Sequence, residues 1–239
     1  MITFTQLGKM GRLGNQMFQI ASTIGIAVDN DMDYGFHNWE YQEFFKNPLP
    51  SSASEPKVLY KEPNFHHSNI WLNSSISTNW DLEGYFQSWK YFEHCKELIN
   101  YYFTPKYVGW TFPNHISIHI RRGDYLNKAD YHTNLTSDYY INAMQQFPDE
   151  KFMIFSDDVD WCMEAFKDYD NCEIYTGFTD VDDLFTMSSC KGHIIANSSY
   201  SFWAAYLDNK LNKKIIYPKN WFANGIDSSD ICPPEWLGL

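Results

Sequence analysis

A chain of 239 residues with 18 basic and 30 acidic side chains, a net charge of −12 and 44% hydrophobic residues can bury one large core or two smaller ones. Its negative surface excludes a protein that coats nucleic acid, because phosphate would be repelled at long range. The N-terminal MITFTQLGKMGRLGNQ has no uninterrupted apolar segment, and nowhere do 18 apolar residues run together, so a soluble, cytoplasmic protein without a transmembrane segment is expected.

Met1 to Gln6 reads as a strand, followed by a loop with Gly8, Gly11 and Gly14 and a helix from about Asn15 to Val28. The turn GKMGRLGNQ has neither P-loop nor dinucleotide-fingerprint spacing, so spacing alone leaves it a tight strand-to-helix turn or a ligand loop. From Phe36 to Phe103 the chain is crowded with aromatic residues, among them Trp39, Trp71, Trp80 and Trp89, and its sheet pattern is poor. Pro105 and Pro113 interrupt the pattern and set an expected division into domains of residues 1–108 and 109–239.

In HISIHI, His115 to Ile120, three isoleucines fall on one side of a period-2 strand and Ser117 and His119 on the other, with Arg121, Arg122 and Asp124 at the carboxyl end. The apolar run Phe152 to Phe155 stops at Ser156, Asp157 and Asp158 before the helical pattern VDWCMEAF. An apolar strand near His193 to Ala196 turns at Asn197, Ser198 and Ser199 into a helix running toward Leu207, and a last strand is expected at Lys214 to Tyr217. Five scattered cysteines without a CxxC pair indicate neither a disulfide framework nor a zinc site.

Ligands of open α/β sheets bind beyond the carboxyl ends of the strands, where helix N-termini offer N–H groups to anions. Three successive strand ends here carry two arginines, two aspartates and an Asn-Ser-Ser helix start, a set suited to a nucleotide diphosphate and its hydroxyl or base donors. Blander readings stand beside it. The arginine pair can form a salt bridge with Asp124, and Asp157, Asp158, Ser198 and Ser199 can be helix caps. Asp158-Val-Asp160 and Asp180-Val-Asp182 are literal Asp-x-Asp matches to a metal-dependent transferase, and Arg122 to Asp124 is an RGD, ill suited to adhesion at the end of a strand.

Taken jointly, GRLGNQMFQIAS, LEGYFQSWKYF, HIRRGDY, IFSDD and DLFTMSSCKGHIIANSSYSFWAAYL, in that order across roughly residues 5 to 220, resemble the α-1,2-fucosyltransferases of glycosyltransferase family 11, for which the chain is short. The resemblance implies an α/β, GT-B-like fold of two Rossmann-like domains, an N-terminal acceptor-side domain and a C-terminal GDP-fucose-binding one, with the active site in the cleft between them. It implies inverting transfer of L-fucose from GDP-β-L-fucose to a glycan hydroxyl, the 2-hydroxyl of a terminal β-galactoside in an oligosaccharide or glycolipid, with no metal and no cofactor. Arg121 would hold the β-phosphate, Arg122 would support it, and His119 would contact the nucleotide. Asp157 or Asp158 would bind guanine or ribose, Asn197, Ser198 and Ser199 the pyrophosphate, and Gly14 with Asn15 would approach fucose and the reacting oxygen. Inversion also needs a base, for which Asp124, Asp130, Glu83 and His37 are the candidates. A non-catalytic GDP-sugar or glycan-binding protein, or a fucosyltransferase of another linkage, is the alternative.

Overall fold

The glycine-rich turn joins a very short strand to a long buried helix. In the computed structural model, which describes residues 1–51, 58–73, 79–177 and 179–239, one unit comprises Met1–Tyr107 with Ser229–Ile231 and a second Val108–Ser228 with Cys232–Leu239. The first contains β1 (Ile2–Thr3), α1 (Leu13–Asp29), β2 (Tyr34–Gly35), β3 (Val58–Lys61), β4 (Trp80–Glu83) and α2 (Lys96–Tyr102). Its four strands are parallel and ordered β2-β1-β4-β3.

The expected strand over Met1 to Gln6 is cut short after Thr3. The Asp81 carboxylate of β4 accepts from Thr3 Oγ1 (2.9 Å), Thr5 N (2.8 Å) and Thr5 Oγ1 (2.5 Å), so a side chain takes the donors that a longer ladder would use. α1 begins two residues before the expected Asn15 and is buried on nearly all sides, Met17, Phe18, Ile20, Ala21 and Ile24 being fully enclosed. Gly25 lets it approach the turn at residues 89–91, since a Cβ there would lie 1.8 Å from the Tyr91 carbonyl oxygen. The late segment Ser229–Ile231 is tied in at Asp230, whose main-chain oxygen accepts from Ser88 Oγ (2.8 Å) and whose carboxylate accepts from His67 N (3.1 Å) and pairs with Lys90.

The second unit runs β5 (His115–Ile120), α3 (Ser137–Met144), β6 (Lys151–Ser156), α4 (Val159–Ala165), β7 (Cys172–Ile174), α5 (Asp180–Ser188), β8 (Gly192–Ile194), α6 (Ser199–Leu207), β9 (Ile215–Tyr217) and β10 (Leu237–Gly238). Its six strands are parallel and ordered β10-β9-β8-β5-β6-β7. Ile116, Ile118 and Ile120 pack with Phe152, Ile154, Ile194 and Ile216 and with Tyr140 of α3. The polar side of β5 is buried as well: Ser117 Oγ meets His193 Nδ1 at 2.7 Å, and His193 Nε2 meets Asp208 Oδ2 at 3.1 Å, so a hydrogen-bonded chain replaces water beneath the sheet. The expected last strand is β9, but β10 follows it and pairs in register with Ile216 and Tyr217. All five cysteines are free and, Cys172 apart, buried.

Candidate active site

Sheet order selects where each unit can hold a ligand. In the second unit the chain moves from β5 outward to β6 and β7, then returns to the other side of β5 as β8, so the order reverses between β5 and β8. Such a reversal opens a crevice at the carboxyl ends of the two strands. His119 lies within β5 one residue from its end, Arg121, Arg122 and Asp124 lie beyond it, Asn197, Ser198 and Ser199 lie beyond β8, and Asp157 and Asp158 lie beyond β6.

The arginines do not stand alone. Arg121 Nη1 pairs with Asp157 Oδ2 (2.7 Å) and Nη2 with Asp124 Oδ1 (2.5 Å), and its guanidinium carbon lies 5.6 Å from the centre of the Tyr125 ring. Arg122 Nε pairs with Asp158 Oδ2 (2.9 Å), and its guanidinium lies 4.3 Å from the Trp161 ring centre, within cation–π range. Both arginine side chains retain about a fifth of their exposure, 19% and 20%. Asp157 Oδ1 also accepts from the main-chain N–H groups of Arg122 (2.9 Å) and Gly123 (3.2 Å), which fixes the turn that carries the pair.

Asp157 and Asp158, expected at guanine or ribose, are thus engaged with the arginines. Asp158 is in addition the N-cap of α4, accepting from Trp161 N at 3.2 Å, and the Arg122 hydrogen bond holds its carboxyl below the usual range. The second Asp-x-Asp is also a helix start: Asp182 N donates to Thr179 Oγ1, which donates to Asp182 Oδ2. One aspartate of each match, Asp158 and Asp182, is thus engaged at a helix start.

His119 is 6% exposed, its Nδ1 is buried without a hydrogen-bond partner, and its ring lies 5.3 Å from that of Tyr200 in α6. Burial, reinforced by Arg121, pushes its pKa down to about 3, so the ring is neutral. Asn197 is 1% exposed and gives its amide hydrogens to the carbonyls of Thr133 (3.0 Å) and Trp221 (2.8 Å), so its side chain braces the turn instead of pointing at an anion. Ser198 caps α6 by accepting from Tyr200 N, and Ser199 begins the helix. Among the described α-helices of the second unit, α3, α4 and α5 carry an acidic residue in the first turn and α6 does not.

The first unit has its own reversal, between β1 and β4. Beyond β1 the glycine turn carries Gly11, with φ +77°, and leads into buried Gly14 and half-buried Asn15 in the first turn of α1. Gln16 Nε2 donates to the Gly11 carbonyl and Gln19 Nε2 to that of Met10, both at 3.1 Å, so this loop is held from the helix. Of the base candidates, Glu83 ends β4 and pairs with Lys61 (2.9 Å), while His37 and Asp130 are exposed on loops. Sequence reasoning missed Asp81, Gln16, Gln19 and Trp161. Trp161, three residues after the cap Asp158 on the same helix, was open to detection by spacing.

Residues 107–239 match the model of the family described as Glycosyl transferase family 11. The chain is similar to an alpha-1,2-colitosyltransferase of Escherichia coli, at 30% identity over 279 positions covering 96% of each protein. Those 279 positions exceed the chain's 239 residues, so at least 40 positions of that relative have no counterpart here. It is also similar to a galactoside alpha-(1,2)-fucosyltransferase 1 of Mus musculus, at 26% identity over 96% of this chain and 71% of that one. Its fold is that of the alpha-1,6-fucosyltransferase NodZ, with a TM-score of 0.56 and 13% identity over 86% of this chain and 91% of that one. Two parallel α/β sheets, a GT-B-like fold and a full-length relative identify the chain as a glycosyltransferase belonging to glycosyltransferase family 11, with α-1,2-fucosyltransferases among its relatives.

Proposed function

We propose that the chain transfers L-fucose from GDP-β-L-fucose, with inversion and without a metal ion, to the 2-hydroxyl of a terminal β-galactoside in an oligosaccharide or glycolipid. The second unit would bind GDP-fucose and the first the acceptor. The observation that carries this reading is the placement of Arg121 beyond β5 and of the start of α6 beyond β8, at the reversal of strand order.

Breaking the fucose–phosphate bond develops negative charge on GDP while the anomeric carbon becomes cation-like, so preorganised positive charge at the β-phosphate stabilises the transition state more than the ground state. Arg121 supplies it, held in place by Asp124 and Asp157. Arg122, anchored on Asp158 and Trp161, supports the same region, and His119 as a neutral ring meets the nucleotide. Ser198, Ser199 and the Asn197 turn would frame the pyrophosphate, and Gly14 with Asn15 are the residues that the family resemblance assigns to the fucose. A carboxylate bonded to the guanidinium that holds the leaving phosphate lies on the leaving-group side, whereas inversion brings the acceptor from the opposite face. Asp124 is accordingly assigned to orienting Arg121 rather than to deprotonating the acceptor.

The relative named as a colitosyltransferase favours a second reading, a donor whose sugar is colitose, which is fucose without its 3-hydroxyl. The test offers GDP-fucose and GDP-colitose side by side, with lactose or N-acetyllactosamine as acceptor, in EDTA. Acceptor-dependent GDP release from GDP-fucose supports the first reading, and release from GDP-colitose alone selects the second. Release abolished by EDTA and restored by a divalent cation would contradict metal independence, and GDP binding without turnover of either donor would leave a non-catalytic binding protein.

A further inference from the structure

The two groups assigned above to the diphosphate stand on different strands, Arg121 after β5 and the start of α6 after β8. The ladder between those strands ends at Ile118 and Ile194, before either group is reached, so main-chain pairing does not fix their separation. We propose that Tyr125 is a positioning residue that holds Arg121 and the start of α6 at the separation one diphosphate requires. This inference rests on the GDP-fucose reading.

Tyr125 touches both groups. The Arg121 guanidinium carbon lies 5.6 Å from the centre of its ring, within cation–π range. Its hydroxyl donates to the Asn197 carbonyl at 3.1 Å, and since a carbonyl oxygen can only accept, the direction of that bond is fixed. The Ser198 hydroxyl is hydrogen-bonded to the Tyr125 oxygen as well, while Ser198 Oγ accepts from Tyr200 N at 3.4 Å as the cap of α6. Burial pushes the phenol up to about 12, so it stays protonated and keeps its proton to donate.

Tyr125 is in turn held by the loops around it. Its ring stacks on that of His132, with centroids 3.8 Å apart and planes within 5°, and burial shifts the His132 pKa down, towards the neutral ring. The His132 segment is tied to the loop after β9: Ala223 N donates to the Tyr131 carbonyl at 2.9 Å, and His132 bridges to Phe222. Asn197 Nδ2 closes the circuit by donating to the carbonyls of Thr133 and Trp221. Stacking and the cation–π contact need only a ring. The hydroxyl is the part that reaches Asn197 and Ser198, and removing it isolates the link.

The experiment measures GDP and GMP dissociation constants by calorimetry for the unaltered protein, Tyr125→Phe, Arg121→Ala and the double variant. GMP lacks the β-phosphate, so a general loosening of the fold weakens both nucleotides, whereas a change in diphosphate geometry weakens GDP alone. Tyr125→Phe is expected to weaken GDP about fivefold, the size of one neutral hydrogen bond, and to leave GMP within about twofold. Without Arg121 there is no separation to keep, so the same substitution in Arg121→Ala is expected to weaken GDP by less than about twofold further. Unchanged GDP affinity in Tyr125→Phe, equal weakening of GDP and GMP, or an undiminished effect in the double variant would each overturn the positioning role. His132→Leu, which keeps the hydroxyl but removes the ring stacked on it, decides the matter if Tyr125→Phe does not fold: selective weakening of GDP is expected, and an unchanged GDP affinity or an equal loss of GMP would overturn the role. None of these readouts requires sugar transfer. An unaltered protein that prefers GDP to GMP but transfers no sugar would sink the transfer reading and leave Tyr125 to be decided by the affinity ratios, whereas no preference for GDP over GMP would overturn both.

Discussion

At the scale of single residues, the centre is an ion-pair lattice and not a cationic patch: two arginines share three aspartates, one more carboxylate than guanidinium, and one of the aspartates also ties down the turn. The sequence showed the arginines and the carboxylates at successive strand ends, but not that they pair. Pairing across β5 and β6 depends on a register that puts Ile120 beside Ser156, and no local pattern encodes that. His119 makes a testable contribution to acid stability. Its folded pKa of about 3 lies below the ordinary 6.5, so between these values the unfolded chain binds the extra proton and stability falls as pH falls. At pH 5 that amounts to about 2 kcal/mol relative to neutral pH, from about 1.4 kcal/mol per pH unit. Buried His193, also shifted down by burial, works in the same direction, whereas half-buried Asp183, raised to about 6, opposes it. Urea unfolding at pH 7 and pH 5 should therefore show a smaller acid loss in His119→Gln than in the unaltered chain, and equal losses would remove His119 from this account.

At the scale of elements, long central strands and their helices were legible and short edge strands were not. HISIHI appears as β5 over its full length, and KFMIFS as β6, because each is six residues long and sits between two partners. β2 and β10 have two residues each, and β3 is an exposed edge strand, so alternation had nothing to act on. The aromatic stretch from Phe36 to Phe103 hid β3 and β4, which have four residues each, too few for alternation to show, and its residues 52–57 and 74–78 lie outside those described. α1 was legible as a helix, but Gly25 gave no hint of its purpose until the Tyr91 carbonyl was seen against it. Gly25→Ala should destabilise the first unit by about 1–3 kcal/mol, as overpacking does, and lower the melting temperature by several degrees. An unchanged melting temperature would mean that α1 and the turn at 89–91 can separate without cost.

At the scale of the whole molecule, the glycine turn, the arginine pair and the Asn-Ser-Ser helix start each had an ordinary explanation, and only their joint order along the chain pointed to one family. Sheet order explains why that joint pattern has meaning, since the glycine turn, the arginine pair and the Asn-Ser-Ser start each lie at a strand pair where the order of their sheet reverses. That reversal was hidden from the sequence because it depends on β8 and β4 returning beside the strand that opened their sheets. Among the described residues no helix is long and apolar enough to cross a membrane. In a chain of net charge −12, the proposed role of Arg121 is to meet an anionic leaving group with a guanidinium already placed by Asp157. The central claim is that this guanidinium stabilises the departing diphosphate, and the most direct measurement is kcat for acceptor-dependent GDP release by Arg121→Ala beside the unaltered protein. The account predicts a fall of about a hundredfold, or about 3 kcal/mol of transition-state stabilisation, in a variant that remains folded. A folded Arg121→Ala that turns over within about threefold of the unaltered enzyme would contradict it and return the arginine to a purely structural pairing with Asp124 and Asp157.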